Sequence, residues 1–177
     1  MREHFEIIVN SLVYILNKFD NRTIDVHKLF KIFYFAEQKH LSKYGKNITT
    51  DTFQALPYGP VPTDAYNIIK ASRTEGKVEN EWLQEFSKCF ATKGYNVTSL
   101  IDVDLDWLSK SEIKCLDEAV EENKNLSFIR LTKKSHDSAW DKAFPVMETK
   151  DIAEAGGANE AMLNYISSKE ELRHIKF

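Results

Sequence analysis

Ser135-His136-Asp137 places a hydroxyl, an imidazole and a carboxylate in a row, the raw material of nucleophilic catalysis, in which the acid holds the tautomer and the imidazole takes the hydroxyl proton. The spacing argues against that use. Triads are assembled from distant chain positions, and no GxSxG elbow surrounds Ser135. His136 reads instead as a residue that closes a helix junction or packs on Trp140. His4, His27, His40, His136 and His174 are scattered, with no HxxxH, HExxH or EF-hand spacing, and Cys89 and Cys115 form no CxxC pair, so no metal site is expected. Gly156-Gly157 lacks the GxGxxG or GxxxxGK surroundings of a phosphate cradle and reads as a helix break, and no cofactor is expected. The enzyme alternative is a small hydrolase or nucleotide-modifying enzyme built on Asp51, His136 and Asp137. It requires those groups to converge in one cleft.

Contact chemistry is better represented. Residues 46–62 lose helical periodicity and read as an ordered loop, within which Phe53-Gln-Ala-Leu-Pro-Tyr-Gly-Pro-Val-Pro62 is neither helix nor strand. Its prolines remove amide donors and limit the entropy lost on binding, Tyr58 offers area and a hydroxyl, and Gly59 permits close backbone approach. Tyr58, Pro60 and Val61, with Tyr66 on the next helix, are the candidate partner-binding residues. Lys133 and Lys134, joined by Arg130, form the tight basic cluster and are candidates for the rim, although such a cluster is more often a solvated face. The competing reading of the loop is a fixed connection that packs Leu56 and Val61 onto the second helix.

The elements that must position these residues are mostly helical. Phe5, Ile8, Leu12, Ile15 and Phe19 recur at three and four and mark one apolar stripe. A second helix begins at Thr23 or Asp25, runs through Leu29, Phe30, Phe33 and Ala36 to a glycine stop at Gly45, and is expected to be central because its stripe is broad and aromatic. Phe30, Phe33, Tyr34 and Phe35, at helical spacing, belong to the core. Thr63-Asp64 caps a third helix that closes at Gly76, followed by a short piece with Trp82 and Phe86. Around Gly94 the period changes to that of one β-hairpin or small antiparallel sheet, the one sheet expected. Ser109-Lys-Ser-Glu112 is a capping box. Ser127 opens a helix with Phe128 and Leu131, Asp137 or Ser138 caps a turn that Pro145 ends, and two helices flank Gly156-Gly157, the last amphipathic through Met162, Tyr165, Ile166 and Leu172.

The composition fits a mainly α, single compact domain over residues 1–177. The 42% hydrophobic content lets a chain of this length bury roughly 70% of its extended surface without a staple. A net charge of −3 gives no general attraction to nucleic acid or anionic lipid. With no apolar run of membrane length and two unspaced cysteines, a soluble cytoplasmic protein is expected.

Several of these segments, read in order, form a larger pattern: Lys28-Leu29-Phe30-Lys31-Ile32-Phe33-Tyr34-Phe35-Ala36, Tyr44-Gly45, Asp51-Thr-Phe-Gln-Ala55, Tyr58-Gly59-Pro60-Val61, Leu108-Ser109-Lys-Ser-Glu112, and Ser135-His136-Asp137-Ser-Ala-Trp140. The pattern resembles the Panacea domain, the family of SocA-like antitoxins and phage-associated proteins, most directly over residues 25–145. The resemblance implies a helical module, not an enzyme, that neutralises a cognate toxin by direct contact and in some members passes it to a protease. Asp51, Gly59, His136, Asp137 and Trp140 are the motif residues for which it implies a structural or site role. A phage accessory structural protein is the further alternative.

Overall fold

The computed structural model of the chain describes residues 1–74 and 78–174. Helix α1 (Arg2–Leu16) carries the expected spacing, yet every residue from Ile8 to Leu16 is buried, so the helix is enclosed on several sides and not on one stripe. The chain then turns through Asn21 and Arg22, both at positive φ, into β1 (Thr23–Asp25). The Asp25 carboxylate accepts the amides of His27 and Lys28 and so caps α2 (Val26–Tyr44). Gly45, at φ +62°, ends α2 in the left-handed conformation. The aromatic run Phe30, Phe33, Tyr34 and Phe35 is buried, as its spacing requires. Helix α2 packs against α1 and three later helices, α5 (Lys110–Asn123), α6 (Phe128–Ser135) and α8 (Thr149–Ala155), which makes it the central element.

Residues 53–62 depart from the loop reading. They form a β-hairpin of β2 (Phe53–Leu56) and β3 (Gly59–Pro62), with Gln54 opposite Val61 and Ala55 opposite Pro60. The sheet near Gly94 is therefore not the only one. The prolines are accommodated by register. Ala55 N–H donates outward to Pro145 O at 2.8 Å and Phe53 O accepts outward from Met147 N–H at 2.9 Å. Ala55 and Phe53 thus face Pro60 and Pro62 as non-hydrogen-bonded pairs, and the donors that proline lacks would have pointed away from the hairpin, along an edge.

Helix α3 (Thr63–Ser72) follows directly, and its cap also differs from expectation. Pro62 stands at the N-cap without a capping side chain, and Thr63 and Asp64 are already helical. Asp51, upstream of the hairpin, supplies the acceptors: its carboxylate takes the amides of Asp64 and Ala65, each at 2.9 Å. The proposed stop at Gly76 lies outside the described residues. After α4 (Glu81–Ser87), strands β4 (Phe90–Lys93) and β5 (Asn96–Ser99) turn at Gly94, and β1 joins β5 to give an antiparallel sheet of order β1-β5-β4.

The Ser109–Glu112 capping box is formed at the start of α5. Ser127 caps α6, and Asp137 caps α7 (Ser138–Lys142). Helix α9 (Glu160–His174) follows α8 after the glycine break, but only part of its expected stripe is inside: Ile166 is buried while Tyr165 and Leu172 are exposed. The described residues form a mainly helical structure of nine helices and two small antiparallel sheets. None of these helices is long and apolar enough to cross a membrane.

Candidate functional site

Pro57 and Tyr58 form the tip of the β2–β3 hairpin, and three side chains hold the backbone on either side of it. Lys31 Nζ donates to Pro60 O at 2.7 Å, and the Trp140 indole Nε1 donates to Leu56 O at 2.9 Å. His27 Nε2 lies 3.2 Å from Tyr58 O and 3.1 Å from Thr132 Oγ1. Since a carbonyl can only accept, the contact with Tyr58 assigns the His27 proton to Nε2. Gly59, at φ +99°, is required twice over: its backbone is left-handed, and a Cβ there would lie 2.3 Å from Ser135 Oγ and 2.7 Å from Lys31 Cε.

The tip side chains point outward from this frame. Tyr58 is 65% exposed and sets its ring edge-on to Phe128, which covers the His27 ring at 4.1 Å. Leu56, Tyr66, Tyr95, Phe128 and Ile129 are exposed around it. On one side of Tyr58, a cavity of about 290 Å³ opens between the hairpin, α2 and α3, with Val26, His27, Phe30, Lys31, Val61, Tyr66, Ile69, Lys70 and Arg73 in its walls. On the other side a more open hollow is bounded by Phe128, Ile129, Thr132, Lys133 and His136. Exposed aromatics on a rigid backbone are suited to binding, because little conformational freedom is lost when a partner covers them.

The cavity wall is electropositive. Lys31 is only 1% exposed, and burial pushes its ammonium down to about 7. Of its three donors, one has a protein acceptor, Pro60 O. Burial, followed by the charge of Lys31, lowers His27 below the usual imidazole range. Lys70 and Arg73 are exposed, and no carboxylate among the described residues pairs with them.

The residues proposed from the sequence fall into distinct positions. Tyr58 and Tyr66 are exposed on the face, Val61 is half-buried in the cavity wall, and Lys133 borders the open hollow. Pro60 is buried with its carbonyl taken by Lys31, so it supports the hairpin and does not present itself to a partner. Lys134 turns toward α5, donating to Asn123 Oδ1 at 2.7 Å and lying over the Phe35 ring, and burial lowers its ammonium.

Asp51, His136 and Asp137 share no hydrogen bond, and each has its own task. Asp51 caps α3. Asp137 Oδ1 accepts the amides of Ala139 and Trp140, while Oδ2 accepts from Tyr34 Oη at 2.8 Å and Gln38 Nε2 at 2.9 Å. Burial and then the Asp137 charge drive the Tyr34 hydroxyl far above its ordinary range. His136 stacks face to face on Trp140 with centroids 3.9 Å apart, and Ser135 Oγ donates to Thr132 O, not to the imidazole. A different hydroxyl–imidazole–carboxylate line is present: His4 Nδ1 is 2.6 Å from Thr50 Oγ1 and its Nε2 is 2.8 Å from Asp64 Oδ2. It ties the start of α1 to the start of α3. The nearby α3 amides of Asp64 and Ala65, the donors an oxyanion would need, are already taken by Asp51.

Sequence reasoning missed Lys31, Lys70 and Arg73 in the cavity wall, and it named Phe128 only as part of the helix that Ser127 opens, not as part of the face. A signal existed for α6: Ile129 shares its helical face with Thr132 and Lys133, so an apolar residue stands on a polar side.

The family model described as antitoxin SocA-like, Panacea domain, matches residues 29–141. That interval takes in α2 from Leu29 onward, the hairpin, α3 and the segment through Trp140, and so contains the ties from Lys31 and Trp140 to the hairpin. No curated protein and no solved structure matches the chain.

Proposed function

Since the chain belongs to the family of SocA-like antitoxins with a Panacea domain, we propose that it neutralises a cognate toxin by direct contact through the face around Tyr58. The observation that carries this reading is the hairpin tip: exposed aromatic side chains on a backbone fixed from beneath by Lys31, His27 and Trp140. Such a surface contributes affinity by apolar area and preorganisation, and requires no turnover. Lys133 at the border of the open hollow would act mainly on the association rate and its salt dependence.

The test is co-expression with the product of the neighbouring gene, read as growth rescue and co-purification. A Tyr58→Ala variant with an unchanged unfolding midpoint is expected to weaken capture by about 2 kcal/mol or more, the size of an interface hot spot. Capture retained in that variant would move the contact face elsewhere. A neighbouring product that is harmless when expressed alone would remove the antitoxin reading for this pair.

A further inference from the structure

Resting on the reading of the Tyr58 face as the toxin contact, we propose that the cavity beside the hairpin tip seats one acidic-apolar element of the partner, a bulky apolar side chain with a carboxylate next to it. Size sets the first limit. About 290 Å³ lies at the small end of ligand cavities, which run from roughly 300 to 1,000 Å³, and suits one or two side chains better than a large cofactor. The apolar body of the occupant is called for by Val26, Phe30, Leu56, Tyr66 and Ile69 in the walls.

Charge sets the second limit. Lys70 and Arg73 stand three residues apart, hence on one side of the α3 terminus, and both line the cavity without a described carboxylate partner. Lys31 adds an almost wholly buried amine that donates, among the described residues, only to Pro60 O. Three basic side chains line one apolar hollow in a chain of net charge −3, and no acidic residue among the described ones lines it. A carboxylate brought in on an apolar stem would find charge-assisted donors to replace its lost water. A cationic or uncharged apolar segment would leave them unmatched.

Two probes separate the charge from the apolar body: indole-3-propionate and its uncharged amide, titrated into the full-length ¹⁵N-labelled protein. The acid is expected to bind about tenfold more tightly than the amide, with shifts at Val26, Phe30, Tyr66 and Ile69. The preference should fall severalfold in a Lys70→Gln/Arg73→Gln variant, which keeps only Lys31, and shrink with added salt. Equal binding of acid and amide, or shifts mapping elsewhere, would overturn the assignment. In co-purification with the neighbouring gene product, Lys70→Glu/Arg73→Glu should lose capture while keeping its unfolding midpoint. If that variant captures normally while Tyr58→Ala does not, the toxin-contact reading stands and the cavity assignment fails, even where the acid probe binds. A dimer of this chain that the same charge reversal dissolves would give the cavity to a second copy and overturn the proposal. Because the probe titration does not involve the toxin, it decides the cavity's preference even where the neighbouring product proves harmless.

Discussion

Replacing Lys31 by Met tests whether the hairpin is held by a buried amine. The thioether keeps an unbranched stem in the same space while removing the charge and the hydrogen bond to Pro60 O. Moving an ammonium from its ordinary 10.5 to about 7 costs roughly 5 kcal/mol, at about 1.4 kcal/mol per factor of ten. The folded-state value is the lower one, so the unfolded chain binds more protons between about pH 7 and 10.5, and stability rises with pH across that window. The contribution is complete above 10.5 and lost as pH falls to about 7. Against this, Met leaves the Pro60 carbonyl without its donor, a loss of about 1–3 kcal/mol.

The expected outcome is a crossover. Near pH 6, Lys31→Met should be more stable than the parent by about 2 kcal/mol or more, and the parent should recover about 3 kcal/mol relative to the variant by about pH 9. Urea titrations of both proteins at a series of pH values provide the difference. The difference is essential because Glu37, wholly buried and accepting from Ile48 N, Thr49 N and Thr49 Oγ1, is lifted by burial to about 7. Its contribution has the opposite sign, full below about 4.5 and lost as pH rises through about 7. Glu37 is common to both proteins and cancels. A difference that stays flat from about pH 6 to 9 would mean that Lys31 keeps an ordinary ammonium, and the account of the cavity wall would fail with it.

Trp140→Phe should cost about 0.5–1.5 kcal/mol in urea unfolding by removing its hydrogen bond to the exposed Leu56 O, and Trp140→Ala about 2 kcal/mol or more by also removing the half-buried surface that stacks on His136. Asp51→Ala uncaps α3 from a distance and is expected to lose about 1–2 kcal/mol, with faster amide exchange at Asp64 and Ala65 as its local signature. In Gly59→Ala the left-handed backbone and the clash with Ser135 Oγ act together. Trimming the clash alone with Ser135→Gly should restore only part of the lost midpoint.

The legible part of the fold was the part written in local signals. The capping box at Ser109, the stop at Gly45, the aromatic face of α2 and the turn at Gly94 depend on residues within a few positions of one another, and each is where its spacing places it. The hairpin at 53–62 was hidden because its prolines carry a strong loop signal, whereas their compatibility with a strand depends on a register set by Pro145 and Met147, more than eighty residues away. The cap on α3 was misassigned for a related reason: Thr63-Asp64 has the composition of a cap, but the acceptor is Asp51, thirteen residues from Asp64. Within the site, Tyr58 and Tyr66 were accessible to reasoning from residue type. Lys31 was not, since a lysine within an aromatic helix ordinarily marks the solvent side, and only the carbonyl of Pro60 makes its burial tenable.

The hairpin's ties have a property that bears on how such a module meets different partners. Lys31, Trp140 and His27 each bond a backbone carbonyl, those of Pro60, Leu56 and Tyr58, and the 145–147 segment pairs with β2 through backbone groups as well. A carbonyl is present whatever side chain its residue carries. The frame therefore leaves Leu56 and Tyr58 free to vary, whereas Gly59 is fixed by its left-handed backbone and by the Ser135 and Lys31 atoms beneath it. Stability and specificity are thus separated along four residues. Tyr58→Ala, which forfeits the exposed edge contact with Phe128 but no tie to the frame, is accordingly expected to change the urea midpoint by less than about 1 kcal/mol. Measured on one preparation, a loss of toxin capture without a loss of stability would show the separation directly. A midpoint that fell as far for Tyr58→Ala as for Trp140→Ala would show instead that the tip is part of the frame.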